Sequence, residues 1–416
     1  MEENYALAKE KYKQIGVDTE SALELLGCTP VSIHCWQLDD CGGFEASDAA
    51  LSGGGILSTG CYLGKARNLK ELMDDLEKVL SLIPGKKKVN IHAIYGDFQG
   101  KKVGRAEIGP EHFESWIKWA KKNEVGLDFN PSLFSHPLAE SGYTLANQAK
   151  EIRDFWIEHI KRSREISNYI GEELGTVCIN NIWIPDGSKD NTVTRLEHRK
   201  ILKDALNEIF EKDFPEDNMM DAVESKLFGI GLESYTVGSN EFYLSYALQK
   251  GKLITLDTGH FHPAELVSDK ISAILPFVKG ILLHLSRGVR WDSDHVTTLS
   301  EEIVAIMQEI VRAEALGQVH IGTDYFDGSI NRVGALALGA RTIMKALLFA
   351  LLEPTSTLRS YEIGENFFAR LALLEDLKIA PVSAVWEKFC SDQNVPGDFK
   401  WAKNVLDHER DVLSKR

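Results

Sequence analysis

The chain is poor in the features that announce membranes, disulfide frameworks or nucleotides. No apolar run reaches the roughly eighteen residues that a membrane span needs, so none is expected. The six cysteines (Cys28, Cys35, Cys41, Cys61, Cys178, Cys390) are scattered, and no CxxC pair occurs. In a chain of 416 residues this favours free intracellular thiols over a disulfide scaffold. The opening Met1-Glu-Glu-Asn-Tyr5 lacks the basic and apolar regions of a secretory signal, and a cytoplasmic location is expected. Basic residues are in deficit, 47 Lys and Arg against 62 Asp and Glu, for a formal charge of −15. Such a surface does not attract nucleic acid or an anionic membrane, so the expected ligand is small and neutral or cationic. No GxGxxG or GxxxxGK fingerprint is present, which argues against nucleotide binding.

What is present is a regular alternation of apolar runs and helical periods. Strand-like segments include Val31–Trp36, Lys88–Tyr95, Gly126–Pro131 and Val177–Pro185, followed by runs that hold Glu224 and Asp257 or end at His284 and near Asp324. Between them lie helical patterns such as Asn68–Leu82, Pro110–Asn123, Leu145–Leu174 and Ile330–Leu352. Strands alternating with helices imply a parallel sheet, and about eight such units imply closure into a (β/α)8 TIM barrel. Residues 1–353 are read as that barrel with N-terminal helices, and 354–416 as a helical C-terminal extension for oligomer contact, with Trp386, Phe389 and Trp401 as anchors. The glycine-rich stretch from Asp39 to Gly60 is long for a compact domain and reads as a functional or lid-like loop.

Carboxylates and histidines recur where these apolar runs end. The set is Glu224, Asp257, His260, His284, Asp292, Asp294 and Asp324. Glu224 and Lys226 are two apart on one strand and share a side; they form either a mutual salt bridge or a metal ligand beside a lysine that steers a substrate oxygen. Asp257 and His260 would face apart on an ideal strand, but Gly259 lets the chain leave that geometry. Asp292 and Asp294 form an Asp-x-Asp of hard oxygen donors. Seven candidates exceed what one ion takes, so two divalent ions are expected, and mixed carboxylate and imidazole ligation suits Mn²⁺, Co²⁺ or Zn²⁺ better than Mg²⁺. Trp36, Phe134 and Trp183 stand at strand ends as walls of a dry substrate site, or as plain barrel-mouth core. His34 and His92 end the first two strands, where either could move a proton, and His92 is preferred.

Longer motifs carry a resemblance. Ser32-Ile-His34-Cys-Trp36-Gln, Asn90-Ile-His92-Ala-Ile-Tyr95, Leu127-Asp-Phe-Asn130-Pro-Ser-Leu-Phe134, Asn181-Ile-Trp183-Ile-Pro-Asp186, Val223-Glu224-Ser-Lys226-Leu-Phe-Gly229, Asp257-Thr-Gly-His260-Phe-His262-Pro and Arg290-Trp291-Asp292-Ser-Asp294-His295 resemble the bacterial L-rhamnose isomerases along essentially the whole chain. That resemblance implies a barrel related to xylose isomerase, a homotetramer, and Mn²⁺-dependent interconversion of L-rhamnose and L-rhamnulose. It implies that Glu224, Asp257, His284 and Asp324 hold a structural metal. His260, Asp292 and Asp294 would hold a catalytic one, with Asp257 able to bridge. Lys226 matches the family's lysine near the substrate's first carbon, and Lys226, Asp324 and His92 are the candidates for catalysis, with Trp36, His92, Phe134, Trp183 and Lys226 around the sugar. The Gly96–Gly100 loop, Cys41 and Cys61 depart from the family pattern and leave the metal set intact.

The expected reaction is aldose–ketose isomerisation by a metal-assisted hydride shift between the first two carbons. Two rivals remain distinct. A metal-dependent aldolase would cleave the ketose, and a non-catalytic sugar-binding protein would be indifferent to chelation.

Overall fold

A computed structural model of the chain describes residues 2–45, 58–289 and 293–416. Its strands, in chain order, are β1 (Val31–His34), β2 (Lys87–His92), β3 (Gly126–Asn130), β4 (Cys178–Trp183), β5 (Gly187–Ser188), β6 (Met219–Glu224), β7 (Tyr235–Thr236), β8 (Leu253–Asp257), β9 (Ile281–Leu285) and β10 (Val319–Thr323). Eight of them close a parallel barrel in the order β1-β2-β3-β4-β6-β8-β9-β10, and β10 returns to β1 through Val31↔Ile321 and Ser32↔Gly322. The expected (β/α)8 barrel is what forms. β5 and β7 make a small antiparallel ribbon above β4 and β6; two-residue strands are too short to leave a periodic trace.

The helices are α1 (Glu2–Gln14), α2 (Thr19–Cys28), α3 (Leu69–Leu80), α4 (Glu114–Asn123), α5 (Lys150–Leu174), α6 (Arg195–Ile209), α7 (Asn240–Lys250), α8 (Val267–Ile274), α9 (Glu301–Arg312), α10 (Arg332–Leu351), α11 (Thr355–Ile363), α12 (Phe367–Leu377), α13 (Val382–Asp392) and α14 (Lys400–Asp411). Several begin where a short polar side chain accepts from a free amide: Asp18 from Glu20 (3.0 Å), Asn68 from Glu71 (3.0 Å) and Asn331 from Gly334 (2.8 Å). α5 starts at Lys150, later than the apolar pattern from Leu145 suggests. The amides of Thr144 and Ala146 are taken by the buried Asp186 carboxylate (2.8 and 2.7 Å), which holds that stretch out of the helix.

α10 is long and apolar enough to cross a membrane by composition, but 78% of its most apolar window is buried inside the protein. It packs on α2, α3 and α9, which accounts for its character. Trp386 and Phe389 of α13 are buried in the same core as the barrel, and the Arg341 guanidinium lies 5.2 Å from Trp386 and 5.0 Å from Trp401. From α14, Glu409 accepts from Tyr62 (2.8 Å) and Asn331 (2.6 Å), tying the helix to two loops of the barrel rim.

Inside the barrel the strands alternate. Outward positions such as Ile33, Ile91, Phe129, Val223 and Leu256 are buried against helices. The inward parity is instead largely polar: Asn90 and His92, Asp128 and Asn130, Asn181, Glu224, Thr255 and Asp257, and His284. At the N-terminal end this interior is closed by Lys88, which binds Asp128 and the Val177 carbonyl (2.7 Å), while Ser32 donates to Asp128 (2.7 Å). Toward the C-terminal end the inward groups become ligand-like.

Candidate metal centre

β6, β8, β9 and β10 end side by side, so Glu224, Asp257, His284 and Asp324 converge, each offering one ligand atom within 4.8 Å of the others. His284 Nδ1 lies 3.3 Å from Glu224 Oε2, 3.3 Å from Asp324 Oδ2 and 3.9 Å from Asp257 Oδ2. A second set, Asp257, His260 and Asp294, meets the same criterion and shares Asp257 with the first. Asp292, expected in that second set, lies outside the described residues, as do residues 46–57 of the glycine-rich stretch.

These residues fit a divalent ion better than they fit one another. Among the described residues, both His284 nitrogens are buried without a hydrogen-bond partner, although carboxylates lie close by. A buried imidazole with neither nitrogen bonded is costly unless something else occupies it. Ligand atoms about 2.1 Å from a common centre sit about 3.0 Å apart in an octahedron and about 3.4 Å apart in a tetrahedron, and the two 3.3 Å separations fall in that span.

The charges say the same. Burial opposes ionisation of Glu224, but the His284 and His260 imidazoles outweigh it and hold the carboxyl well below its usual range. Burial likewise opposes the charge on Asp324, which His284 outweighs, lowering it. Burial would lower His284, yet Glu224 and Asp324 drive it well above an ordinary histidine. Asp257, chiefly through burial and then through the neighbouring carboxylates, is pushed up to about 7. The cluster therefore contains more negative charge than one imidazolium can balance, and a dication supplies what is lacking.

Gly259 works differently from the sequence expectation. Its φ is not in the left-handed region, so backbone freedom is not what it provides. A Cβ there would stand 2.5 Å from Asp294 Oδ1 and 3.2 Å from Asp257 Oδ1. Glycine leaves the space those two carboxylates occupy. Asp294 itself takes a left-handed backbone (φ 33°), with its carbonyl accepting from Phe326 N–H at 2.9 Å. That conformation is costly for a non-glycine residue and is held here by the loop after β10.

A narrow cavity of about 30 Å³ lies beside the two sets. Its wall includes Trp36, His92, Trp183 and Lys226, all anticipated, and also Cys41, Asn130, Asn181 and Phe326, which were not. Asn130 and Asn181 were detectable as polar residues at inward parity toward the C-terminal ends of β3 and β4. Phe134 is fully buried behind this wall, with its ring 5.3 Å from His92 and 6.1 Å from Trp183. Lys226 Nζ lies 3.1 Å from His260 Nε2 and 5.6 Å from the Trp183 ring. Trp36 donates from Nε1 to Asp324 Oδ1 at 3.0 Å, so this wall residue also orients a carboxylate.

The two terminal histidines part company. His34 is fully buried with Nδ1 2.7 Å from the Thr323 hydroxyl and Nε2 2.8 Å from the Tyr325 carbonyl. Both nitrogens are engaged, so it braces β1 against β10 and has none to offer a substrate. His92 faces the cavity between Trp36 (4.6 Å) and Phe134, and burial lowers its pKa to about 4, leaving it neutral. His262 accepts from the Ala264 amide (3.1 Å) and shapes a turn.

A closed parallel barrel with two such ligand sets at the C-terminal strand ends defines a class, the barrel enzymes that work on a small polar molecule beside divalent metal. Within that class the chain belongs to the L-rhamnose isomerase family, whose model (RhaA: L-rhamnose isomerase) matches residues 1–416. An L-rhamnose isomerase of Mannheimia succiniciproducens is 55% identical over 416 residues, covering 100% of this chain and 99% of its own. One from Escherichia coli O81 is 53% identical over the same span, again with 100% and 99% covered.

Proposed function

We propose that this chain interconverts L-rhamnose and L-rhamnulose. Hydrogen moves with its electron pair from the second carbon to the first, the C2 hydroxyl gives up its proton and the first oxygen gains one. The reaction is balanced without an external oxidant or reductant. The observation that supports it most is the convergence of the two ligand sets on one pocket in a chain that matches this family end to end.

Glu224, Asp257, His284 and Asp324 would hold one divalent ion, and Asp257, His260, Asp292 and Asp294 the other, with Mn²⁺ the metal we favour. Bound there, such ions supply Lewis-acid polarisation of both substrate oxygens. Lys226 donates a hydrogen bond to the first-carbon oxygen, its ammonium steered by the Trp183 face. His92, neutral at physiological pH, exchanges a proton with the ring oxygen as the sugar opens. Trp36, Phe134 and Trp183 form with His92 a row of rings that excludes water and strengthens every polar contact inside. Of the first ligand set, Asp324 has the least buried side chain at 17% exposed, and we assign it to the reacting side, where Trp36 fixes one oxygen.

We further read residues 354–416 as an extension serving a cytoplasmic homotetramer. Ile363, Phe367, Phe368 and Leu371 of α11 and α12 are exposed and apolar, which supports an assembly contact there.

The test is direct. Protein stripped with EDTA and titrated with Mn²⁺ is given C2-deuterated L-rhamnose without coupling enzymes. The expected result is Mn²⁺-dependent L-rhamnulose with deuterium retained on the first carbon. Full exchange of the label with solvent would refute the hydride shift, and cleavage products would point to an aldolase.

A further inference from the structure

One polar pair below the ligands has no part in the chemistry above. Asn181 on β4 donates from Nδ2 to Glu224 Oε2 at 2.6 Å, and its Oδ1 accepts from the Thr255 hydroxyl on β8 at 2.8 Å. All three side chains are 2% exposed or less. The direction of this chain is fixed by chemistry. An ionised carboxylate only accepts, so the amide nitrogen must face Glu224, the amide oxygen must face Thr255, and the hydroxyl must be the donor. Buried bonds in series polarise one another, and each member sets the orientation of the next.

The strand register explains how it fits. β6 lies between β4 and β8, and the residue beside Asn181 on it is Ala222. A side chain that short leaves the span open, so Asn181 reaches both the carboxylate above and the hydroxyl across. With Oε2 bonded in this way, Glu224 Oε1 is the oxygen turned toward His260 Nδ1, 3.2 Å away.

We infer that Thr255 and Asn181 are positioning residues that preset the Glu224 carboxylate for the ion held by Glu224, Asp257, His284 and Asp324. This rests on the metal reading above. Hydrogen-bonded supports of metal ligands typically carry about 10- to 100-fold in metal affinity, because they remove the freedom a ligand would otherwise lose on binding.

The experiment is Mn²⁺ binding by isothermal titration to chelator-stripped protein, with no sugar present. Asn181→Asp keeps shape but loses the donor and sets a second carboxyl against Glu224, so affinity at the site of Glu224, Asp257, His284 and Asp324 falls by about 10-fold or more. Thr255→Val, isosteric and lacking only the hydroxyl, weakens binding less, and Thr255→Ser restores it. A side chain that merely filled space would give no such split between valine and serine. Equal Mn²⁺ affinity in wild type, Asn181→Asp and Thr255→Val would overturn the inference. Should Asn181→Asp not fold, the Thr255 pair decides alone. Failure of the wild-type protein itself to take up Mn²⁺ would instead sink the metal reading.

Discussion

Replacing Gly259 by alanine isolates the geometry of the second ligand set from the stability of the barrel. The added methyl would stand 2.5 Å from Asp294 Oδ1, whereas ordinary contact begins near 3.4 Å, so one of the two must give by roughly 0.9 Å. Asp257 Oδ1 at 3.2 Å and Ser286 Oγ at 3.1 Å crowd the other sides, which leaves the Asp294 carboxylate as the group that yields. Because Gly259 has no left-handed φ, alanine meets no backbone penalty there and the perturbation stays local. A misplacement of about 1 Å at a reacting centre costs on the order of 100-fold in rate. The expected outcome is a kcat for L-rhamnose lowered by that order, with the unfolding midpoint of the metal-free protein close to wild type. A kcat within about threefold of wild type, less than 1 kcal/mol in the barrier, would refute the claim that this glycine makes room for a working carboxylate.

Two further perturbations separate the scaffold from the site. Arg164 makes bidentate contact with Asp221 (3.0 and 3.0 Å) and donates to the Ile209 carbonyl, with both side chains 2% exposed. Arg164→Leu removes the bidentate partner of a buried carboxylate that keeps only Lys252 (3.2 Å) and Asn180 (3.1 Å), and should cost roughly 1.5–3 kcal/mol in urea unfolding while leaving kcat of the folded fraction unchanged; an unchanged midpoint would show the pair to be dispensable. His159 is held neutral, its pKa lowered to about 3 by burial, accepting from the Ser132 amide and lying 2.9 Å from the Arg105 carbonyl. The unfolded chain protonates this histidine near pH 6.5 and the folded one does not until about pH 3, so its contribution to stability falls as pH drops through that window. The cost of His159→Gln should therefore shrink by about 1.4 kcal/mol per pH unit between pH 6.5 and pH 4.5, and a pH-independent cost would contradict it.

The convergence of these carboxylates and imidazoles was legible because each apolar run spends its hydrophobic residues on the barrel wall and then stops at a carboxylate or imidazole. Glu224, Asp257, His284 and Asp324 need only the strand ends to be found, and parallel closure brings those ends together. What sequence could not convey was the use of space and of second partners. Gly259 reads as conformational freedom, whereas in the fold it is an absence of volume. His34 and His92 both end barrel strands, and the sequence favours His92 without showing what disqualifies His34. Only the packing of β10 against β1 shows that Thr323 and Tyr325 engage both nitrogens of the first. Trp36 reads as a wall, and its hydrogen bond to Asp324 spans nearly three hundred residues that no local pattern records.

The seam between β1 and β10 has a consequence for how this protein is made. Val31 meets Ile321, so about three quarters of a nascent chain must emerge before its first strand finds its second neighbour. Throughout synthesis the growing sheet carries a bare edge, a template for pairing with other chains. Slow translation, cool growth and an ample supply of chaperones are thus the conditions that the strand order itself calls for in any production host.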